Sequence, residues 1–216
     1  LFKIGELEKR QPEIVVKDDR DRRIVQKLVW YLSTLEYWHD PDSGVWEENQ
    51  ELHASSVGAC LAGIKMAQQI PGIIVSEELI KRGEETLHHL LPRESEKKFV
   101  DLALLSLIWP YAVADREETE TILTNVEYHL LRSHGVIRYK GDHYYNKNPD
   151  GWSEEAEWTF GLSWLAIIYE KLGNDAKARQ FLDEAKKTVT GNGVIPELYF
   201  SNSDKHNDNA PLGWSE

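Results

Sequence analysis

Apolar residues recur at intervals of three and four along almost the whole chain, and this spacing predicts a protein that is helical throughout. Proline and glycine residues interrupt the pattern between the predicted helices. The helices are predicted over residues 21–39, 52–69, 76–91, 100–109, 115–132, 155–172 and 174–190. The first of them carries one apolar face, made by Ile24, Leu28, Tyr31, Leu32 and Leu35. Residues 1–16 instead predict an arm that contains a strand.

Some of the predicted helices are amphipathic, whereas residues 52–69, 100–109 and 156–169 are more uniformly apolar and rich in small residues. A helix that is apolar all round is buried on several sides. Concentric layers of helices provide such positions, because inner helices are enclosed while outer helices keep one face exposed to solvent. A helical solenoid would repeat every 34–45 residues or so, and the chain shows no such repeat. A tetratricopeptide-type pair is an alternative for the last two helices, which carry Ala176, Ala178 and Ala185.

The charge balance excludes several classes of partner. The chain of 216 residues has a formal net charge of −12, which argues against nucleic acid and against anionic membrane surfaces. No apolar run approaches the length of a membrane span. Cys60 is the single cysteine, so no intrachain disulfide can form, which is compatible with a reducing, cytoplasmic location. Eight Trp and nine Tyr residues suit carbohydrate binding, although aromatic side chains more often belong to a core.

Two loops between helices carry acidic residues that suit acid–base chemistry. The first loop places Trp46 beside Glu47 and Glu48, and the second carries Glu197. Hydrolysis of a glycosidic bond requires two carboxyl groups, one to protonate the leaving oxygen and one to act opposite it. An aromatic face to hold a sugar ring is a common companion. The alternative interpretation is that these are solvated surface carboxylates in an acidic chain.

Metal and cofactor signals are weaker. The run from Asp40 to Gly44, with Glu51 further on, resembles a calcium loop, but Gly44 stands where a ligand is required. The adjacent His88 and His89 cannot share one helix face, and no histidine has partners at zinc spacing. We therefore expect neither a metal nor another cofactor.

Four motifs occur in the order found in the glucoamylase family, glycoside hydrolase family 15. They are Gly44–Glu48, Val136–Tyr139 with Asp142–Tyr145, Ile195–Tyr199 and Pro211–Ser215. The chain also resembles relatives of that family, the alpha and beta regulatory subunits of phosphorylase kinase. The resemblance implies an all-α fold, the (α/α)6 barrel of twelve helices, in which the seven predicted helices would be the fifth to the eleventh. Residues 1–216 would then be a fragment of one catalytic domain, since Leu1 is not a start methionine and the last residues resemble the opening turn of a helix.

The resemblance also implies a role for each motif residue. Glu47 falls at the position of the general acid, and Glu197 at that of the general base that activates water. Glu48 and Arg138 fall at positions that bind the sugar. The remaining substrate-binding residues are the aromatic walls Trp46 and Trp158, together with Asp142. Two departures from the fungal enzymes, Gly44 and Gly141 in place of acidic residues, would remove hydrogen bonds to the sugar.

These roles set physical requirements. Glu47 must be protonated, and burial against Trp46 with repulsion from Glu48 would favour that form. Glu197 must stay ionised, which predicts that its loop is hydrated. Asn192, Asn202 and Ser203 would supply the polar surroundings. An inverting enzyme holds its two carboxyl groups roughly 6.5–9.5 Å apart, and a retaining enzyme about 5–5.5 Å.

Two hypotheses of different classes follow. The first is an inverting exo-hydrolase that releases glucose from an α-glucan or maltooligosaccharide without a cofactor. The second is a non-hydrolytic relative that binds glucan or regulates a partner such as calmodulin or a kinase. Retention of Glu47 and Glu197 favours the enzyme, whereas the glycine substitutions and the Pro-Glu-Leu-Tyr form of the base loop favour the alternative.

Overall fold

The computed structural model describes residues 1–146 and 154–214, which are predominantly helical and confirm the predicted all-α class. They fall into two compact units. The first unit comprises residues 1–99 and 110–115, and the second comprises residues 100–109 and 116–216. No helix in the described part of the chain has the length and apolarity that a membrane crossing requires.

The described residues contain eight α-helices and two short strands. The helices are α1 (Phe2–Arg10), α2 (Asp19–Leu35), α3 (Ala54–Gln68), α4 (Glu77–Leu90), α5 (Leu105–Ile108), α6 (Arg116–His129), α7 (Phe160–Lys171) and α8 (Asp175–Lys187). A 3-10 turn, Leu102–Leu104, leads into α5, and the strands are β1 (Glu157–Trp158) and β2 (Leu198–Tyr199). All seven predicted helices are present. Helix α7 begins later than predicted because residues 157–158 pair as a strand.

In the first unit α3 is the central element and packs against α1, α2 and α4. Its small residues allow the close approach that the sequence predicted. A Cβ atom added at Gly63 would lie 3.0 Å from Leu1, and one added at Gly5 of α1 would lie 2.6 Å from the Cβ atom of Met66. Contact this close requires glycine on one side, so α1 and α3 cross almost backbone to backbone.

The prediction of a strand in residues 1–16 is wrong. Residues 2–10 form α1, because Gly5 packs on α3 and the helix-forming residues 6–10 follow it. The carboxylate of Glu8 then accepts hydrogen bonds from the amides of Val15 and Val16, at 2.7 and 2.9 Å. These bonds satisfy the extended segment locally, without a partner strand.

The apolar face of α2 is largely exposed. Ile24, Leu28, Tyr31 and Leu35 are 50%, 39%, 60% and 38% exposed, whereas Val25, Gln26 and Val29 are buried. The side-chain amide of Gln26 donates to the carbonyl oxygen of Ile74 at 2.9 Å and accepts from the amide of Ile74 at 2.7 Å. These two bonds satisfy the polar atoms of the buried Gln26 side chain and hold its side of the helix inward.

In the second unit α7 packs along α8, and α5 packs against α6 and α7. A polar network joins the three longer helices. The ammonium group of Lys177 lies 2.7 Å from both carboxylate oxygens of Glu127, and the phenol of Tyr169 donates to the same carboxylate. Burial and the hydrogen bond to Glu127 raise the pKa of Tyr169.

Three backbone segments of the second unit lie side by side in a small ribbon. Val136 and Trp158 exchange two backbone hydrogen bonds of 3.0 Å, and Trp158 pairs with Leu198 where β1 runs antiparallel to β2. Gly135 permits this pairing, because a Cβ atom there would lie 2.6 Å from the carbonyl group of Trp158. We call residues 136–138, 157–159 and 197–199 the site ribbon.

Candidate functional site

The Trp46-Glu47-Glu48 loop of the first unit is closed by backbone pairing at its base. Asp42 and Glu51 exchange two backbone hydrogen bonds of 3.0 Å. The carboxylate of Asp42 accepts from the amide of Gly44 at 2.6 Å and from the hydroxyl of Ser56, at the start of α3, at 3.0 Å. The loop is therefore anchored to the N-terminal end of the central helix.

The buried side chain of His53 supports this loop. The Nδ1 atom of His53 lies 3.4 Å from the carboxylate of Glu94, and its Nε2 atom lies 3.3 Å from the carbonyl oxygen of Asn49. Glu94 also caps α3, since it accepts from the amide and the hydroxyl of Ser55 at 3.1 and 2.6 Å. The hydrogen bond to Glu94 raises the pKa of His53, although burial alone would lower it.

The absence of an acidic residue at position 44 has a structural reason. Gly44 has a φ angle of +64°, and a Cβ atom there would lie 3.0 Å from the ring of His53. Gly141, the second departure, has a φ angle of +81° and open space around it, and its amide donates to Glu155 at 2.7 Å. One glycine is required by a neighbouring side chain and the other by backbone conformation.

The environment expected for Glu47 is not found. Glu47 is exposed, and no hydrogen bond or ion pair holds its side chain within residues 1–146 and 154–214. Glu48 is half-buried and lies 3.2 Å from the ammonium group of Lys98, which offsets its negative charge. Trp46 is half-buried. Neither the burial expected for Glu47 nor an unopposed charge on Glu48 is therefore present here.

The residues of the possible calcium loop serve the fold instead. The carboxylate of Asp42 accepts hydrogen bonds from Gly44 and Ser56, as described above. Glu51 accepts from the hydroxyl of Ser95 at 2.6 Å and pairs with Lys97 at 3.1 Å. Burial raises the pKa of Glu51, but these two partners outweigh it and hold that pKa below its usual range.

In the second unit the site ribbon gathers the remaining predicted residues. Arg138 follows Val136 by two positions, Trp158 lies in β1, and Glu197 immediately precedes β2. Neighbouring paired segments thus carry the predicted sugar-binding arginine, an aromatic wall and the predicted base. Trp46, Glu47 and Glu48 belong to the first unit.

Arg138 and Asp142 form a buried bidentate pair. Both N–O distances, Nε to Oδ2 and Nη2 to Oδ1, are 2.7 Å. The Cζ atom of Arg138 also lies 4.9 Å from the ring centre of Tyr144 and 5.2 Å from that of Trp158. Asp142 accepts a further hydrogen bond from the amide of Tyr144 at 2.9 Å. The pair is not a surface salt bridge, because neither side chain is more than 5% exposed.

Trp158 is only 2% exposed and therefore does not offer an open ring face as a wall. Tyr144 stacks near it with a centroid distance of 6.2 Å, and Trp214 meets its edge at 5.8 Å. Tyr144 and Trp214 are 53% and 47% exposed. They are exposed aromatic surfaces beside Arg138 and Trp158, and they were not predicted as site residues, although both lie within the motifs. The last motif residue, Ser215, lies outside the described residues.

Glu197 lies in a drier setting than predicted. Its side chain is buried, and its Oε2 atom accepts from the side-chain amides of Asn207 and Asn209, both at 2.7 Å. The polar residues expected to hydrate it act elsewhere. The Asn202 amide donates to Glu154 at 2.6 Å, and the Ser203 hydroxyl donates to the carbonyl of Phe200 at 3.1 Å.

Comparison with known proteins identifies two kinds of relative. No family model matches the chain. It is 28% identical over 221 residues to a probable phosphorylase b kinase regulatory subunit alpha of Caenorhabditis elegans, covering 86% of this chain and 18% of that protein. It is 24% identical over 223 residues to an uncharacterized glycosyl hydrolase of Methanocaldococcus jannaschii, covering 88% and 35%. The chain is related to both.

The solved structures that it resembles are glycosidases. A glycosidase variant in complex with glucose superposes with a TM-score of 0.77 at 18% identity, over 99% of this chain and 61% of that one. The wild-type glycosidase gives 0.75 with the same coverage. The chain thus has the helical fold of these glycosidases, and it spans 61% of their length and 18% to 35% of the relatives named above.

Proposed function

We propose that the protein is a glycoside hydrolase of the glucoamylase type, which releases glucose from α-linked glucans with inversion. We also propose that this chain is part of a longer catalytic domain, in which Glu47 and Glu197 face one cavity. The observation that carries it is the state of Glu197. One carboxylate oxygen is held by two amides, and Oε1 has no hydrogen-bond partner among the described residues. A base that activates water requires such an oriented carboxylate with one oxygen available.

In this mechanism Glu47 donates a proton to the glycosidic oxygen while the bond to the anomeric carbon breaks. Glu197 takes a proton from the water that attacks the same carbon from the opposite face. The two carboxyl groups would stand about 6.5–9.5 Å apart to admit that water. Exchange with solvent then restores the proton to Glu47 and removes it from Glu197, so that no cofactor is required.

The sugar-binding roles are assigned to residues around these two. Arg138, fixed by Asp142, would direct its guanidinium group toward sugar hydroxyls, and Trp158 would back it rather than stack on the ring itself. Tyr144 and Trp214 are the exposed aromatic faces that suit stacking on a sugar. Trp46 and Glu48 would contact the sugar from the acid loop.

A second function is favoured by the kinase-subunit relatives, one of which, from rabbit skeletal muscle, is 29% identical over 218 residues. In that alternative the protein binds glucan without cleaving it, or regulates a kinase or binds calmodulin. The exposed position of Glu47 and the ion pair of Glu48 with Lys98 fit it, since neither is the environment expected around a general acid.

The deciding experiment measures glucose release from maltooligosaccharides by the full-length protein. Hydrolysis that yields β-glucose first, observed by proton NMR, supports the inverting enzyme. Initial release of α-glucose would indicate retention and overturn the roles given to the two carboxylates. Binding of maltooligosaccharide without any glucose release would favour the non-hydrolytic alternative.

A further inference from the structure

The two asparagines beside Glu197 are placed by main-chain pairing. The chain turns back after β2, so that the amide of Asn207 donates to the carbonyl of Leu198 at 3.2 Å. The amide of Glu197 donates to the carbonyl of Asn209 at 2.9 Å. Both asparagine side chains are therefore held opposite Glu197 by backbone bonds that do not depend on the carboxylate.

Both side-chain amides converge on the same oxygen of Glu197. Each N–O distance is 2.7 Å, which is short for an amide donor and typical of a bond to a charged acceptor. No Lys, Arg or His side chain pairs with Glu197 in residues 1–146 and 154–214. The titratable groups on the neighbouring segments are Glu157 and Tyr199 of the ribbon, His206 opposite Tyr199, Asp208 between the two asparagines, and Tyr145, whose hydroxyl lies 3.5 Å from the Asn209 amide.

The orientation of Asn207 is informative because its amide oxygen is left unsatisfied. Asn207 is 5% exposed, and its Oδ1 atom is buried with no hydrogen-bond partner among the described residues. A buried acceptor without a partner costs free energy. The side chain of Asn207 nevertheless directs its N–H group at the Glu197 carboxylate and leaves its own oxygen without a partner.

We infer that Asn207 and Asn209 are positioning residues that hold Glu197 ionised and reserve its Oε1 atom for the attacking water. The inference rests on the proposed function and deepens it. Because Oε2 is saturated by two donors, a proton taken from water goes to Oε1. The two amides also replace the hydration that a buried carboxylate loses, which no cation does here.

The test is a 13C NMR titration of the Glu197 carboxyl carbon in full-length protein labelled on glutamate, with Glu197→Gln to assign the signal. We expect Asn209→Ala and Asn207→Ala each to raise the titration midpoint by about 0.5–1 pH unit, since each removes one donor to the charged form. Asn207→Asp should raise it further, because it replaces a donor with a second carboxylate. Asn192→Ala, in an exposed loop on the same unit, is the control and should change nothing.

Kinetics provide the second measurement. The acidic limb of the kcat profile should move upward with the NMR midpoint in the Asn207 and Asn209 variants, while KM for maltooligosaccharide changes less than twofold. Midpoints within 0.2 pH unit of wild type in both single variants would overturn the inference. Asn209 is exposed, so its variant should fold even where Asn207→Ala does not. A shifted midpoint in a protein without hydrolytic activity would support the positioning role and reject the proposed function.

Discussion

The ring of His53 crowds the space that a side chain at residue 44 would need, since a Cβ atom there would lie 3.0–3.1 Å from three ring atoms. The histidine is in turn fixed by Glu94 and by the carbonyl of Asn49. The shape of the Trp46-Glu47-Glu48 loop is therefore set by a buried side chain beneath it, and two predictions depend on this arrangement.

Replacing Gly44 by Ala should cost more stability than the same change at Gly141. Both residues have positive φ angles, which cost about 1–2 kcal/mol with a Cβ atom, but only Gly44 has a neighbour in the way. We expect losses of about 2–4 kcal/mol for Gly44→Ala and about 1–2 kcal/mol for Gly141→Ala, measured by urea unfolding. Gly191→Ala, with open space and an ordinary φ angle, is the control. Equal losses of stability at residues 44 and 141 would show that the His53 ring moves aside at no energetic cost.

The His53–Glu94 pair should make stability depend on pH. The pKa of His53 in the folded protein lies above its usual value of 6.5, so its stabilising contribution is complete below about pH 6.5 and is lost as the pH rises through the folded value. The difference in free energy of unfolding between wild type and His53→Asn should therefore shrink as the pH increases above 6.5. His89→Asn, an exposed histidine, is the matched control. A difference that stays constant from pH 5.5 to 9 would argue against the ion pair.

The buried Arg138–Asp142 pair can be compared with an exposed pair of the same spacing, Arg116–Glu120. Removing one partner of the buried pair, as in Arg138→Met, should cost about 3–5 kcal/mol, because a charge is left buried and uncompensated. Arg116→Met should cost no more than about 0.5 kcal/mol. The double variant Arg138→Met with Asp142→Leu should recover part of the loss in a urea-unfolding cycle. Similar small losses for both arginines would mean that the Arg138 site opens to water.

Acid and base can be separated in the full-length protein by the choice of substrate. Glu47→Gln should lower glucose release from glucans by about 10²–10⁴-fold, because the leaving oxygen loses its proton donor. A glucosyl fluoride needs less protonation and should be affected much less. Glu197→Gln should impair both substrates, since each requires an activated water. Equal losses on the two substrates for Glu47→Gln would reject its role as the acid.

The exposed apolar stripe of α2 should cause the isolated 216-residue chain to associate, since large apolar patches on a surface favour association. Sedimentation at increasing concentration should show oligomers or aggregates, and Ile24→Lys combined with Tyr31→Lys should reduce them. Tyr128→Lys, at another exposed aromatic outside the stripe, should have little effect. A monomer with a sharp cooperative melt would contradict the prediction and indicate a complete domain.

Much of the fold was predictable because helix spacing and proline positions are local signals. The errors arose where a distant contact decided the outcome. Gln26 bonds the backbone of Ile74 and thereby fixes which side of α2 turns inward. Gly5 packs on Met66, which places α1 as a helix against α3. Neither partner can be read from the neighbouring sequence.

The residues of the candidate site could be predicted from the sequence, but their burial and their hydrogen-bond partners could not. The family resemblance selected Arg138, Trp158 and Glu197, which the ribbon of the second unit carries on neighbouring segments. Asn207 and Asn209 were missed because a hairpin, rather than a motif, brings them to Glu197. The sequence left open whether Glu47 is buried or exposed, because adjacent carboxylates do not reveal which of them finds a cation.

Insertions and deletions should be distributed unevenly along this chain because of the site ribbon. Successive side chains of paired backbone point to opposite faces, so a shift of one residue within the ribbon would turn Trp158 or its neighbours to the other side. Turns outside the ribbon, such as the one between α7 and α8, are under no such restriction. Lineages descended from this protein can therefore lengthen or shorten the connections, whereas a single added residue inside the ribbon would dismantle the arrangement in one step.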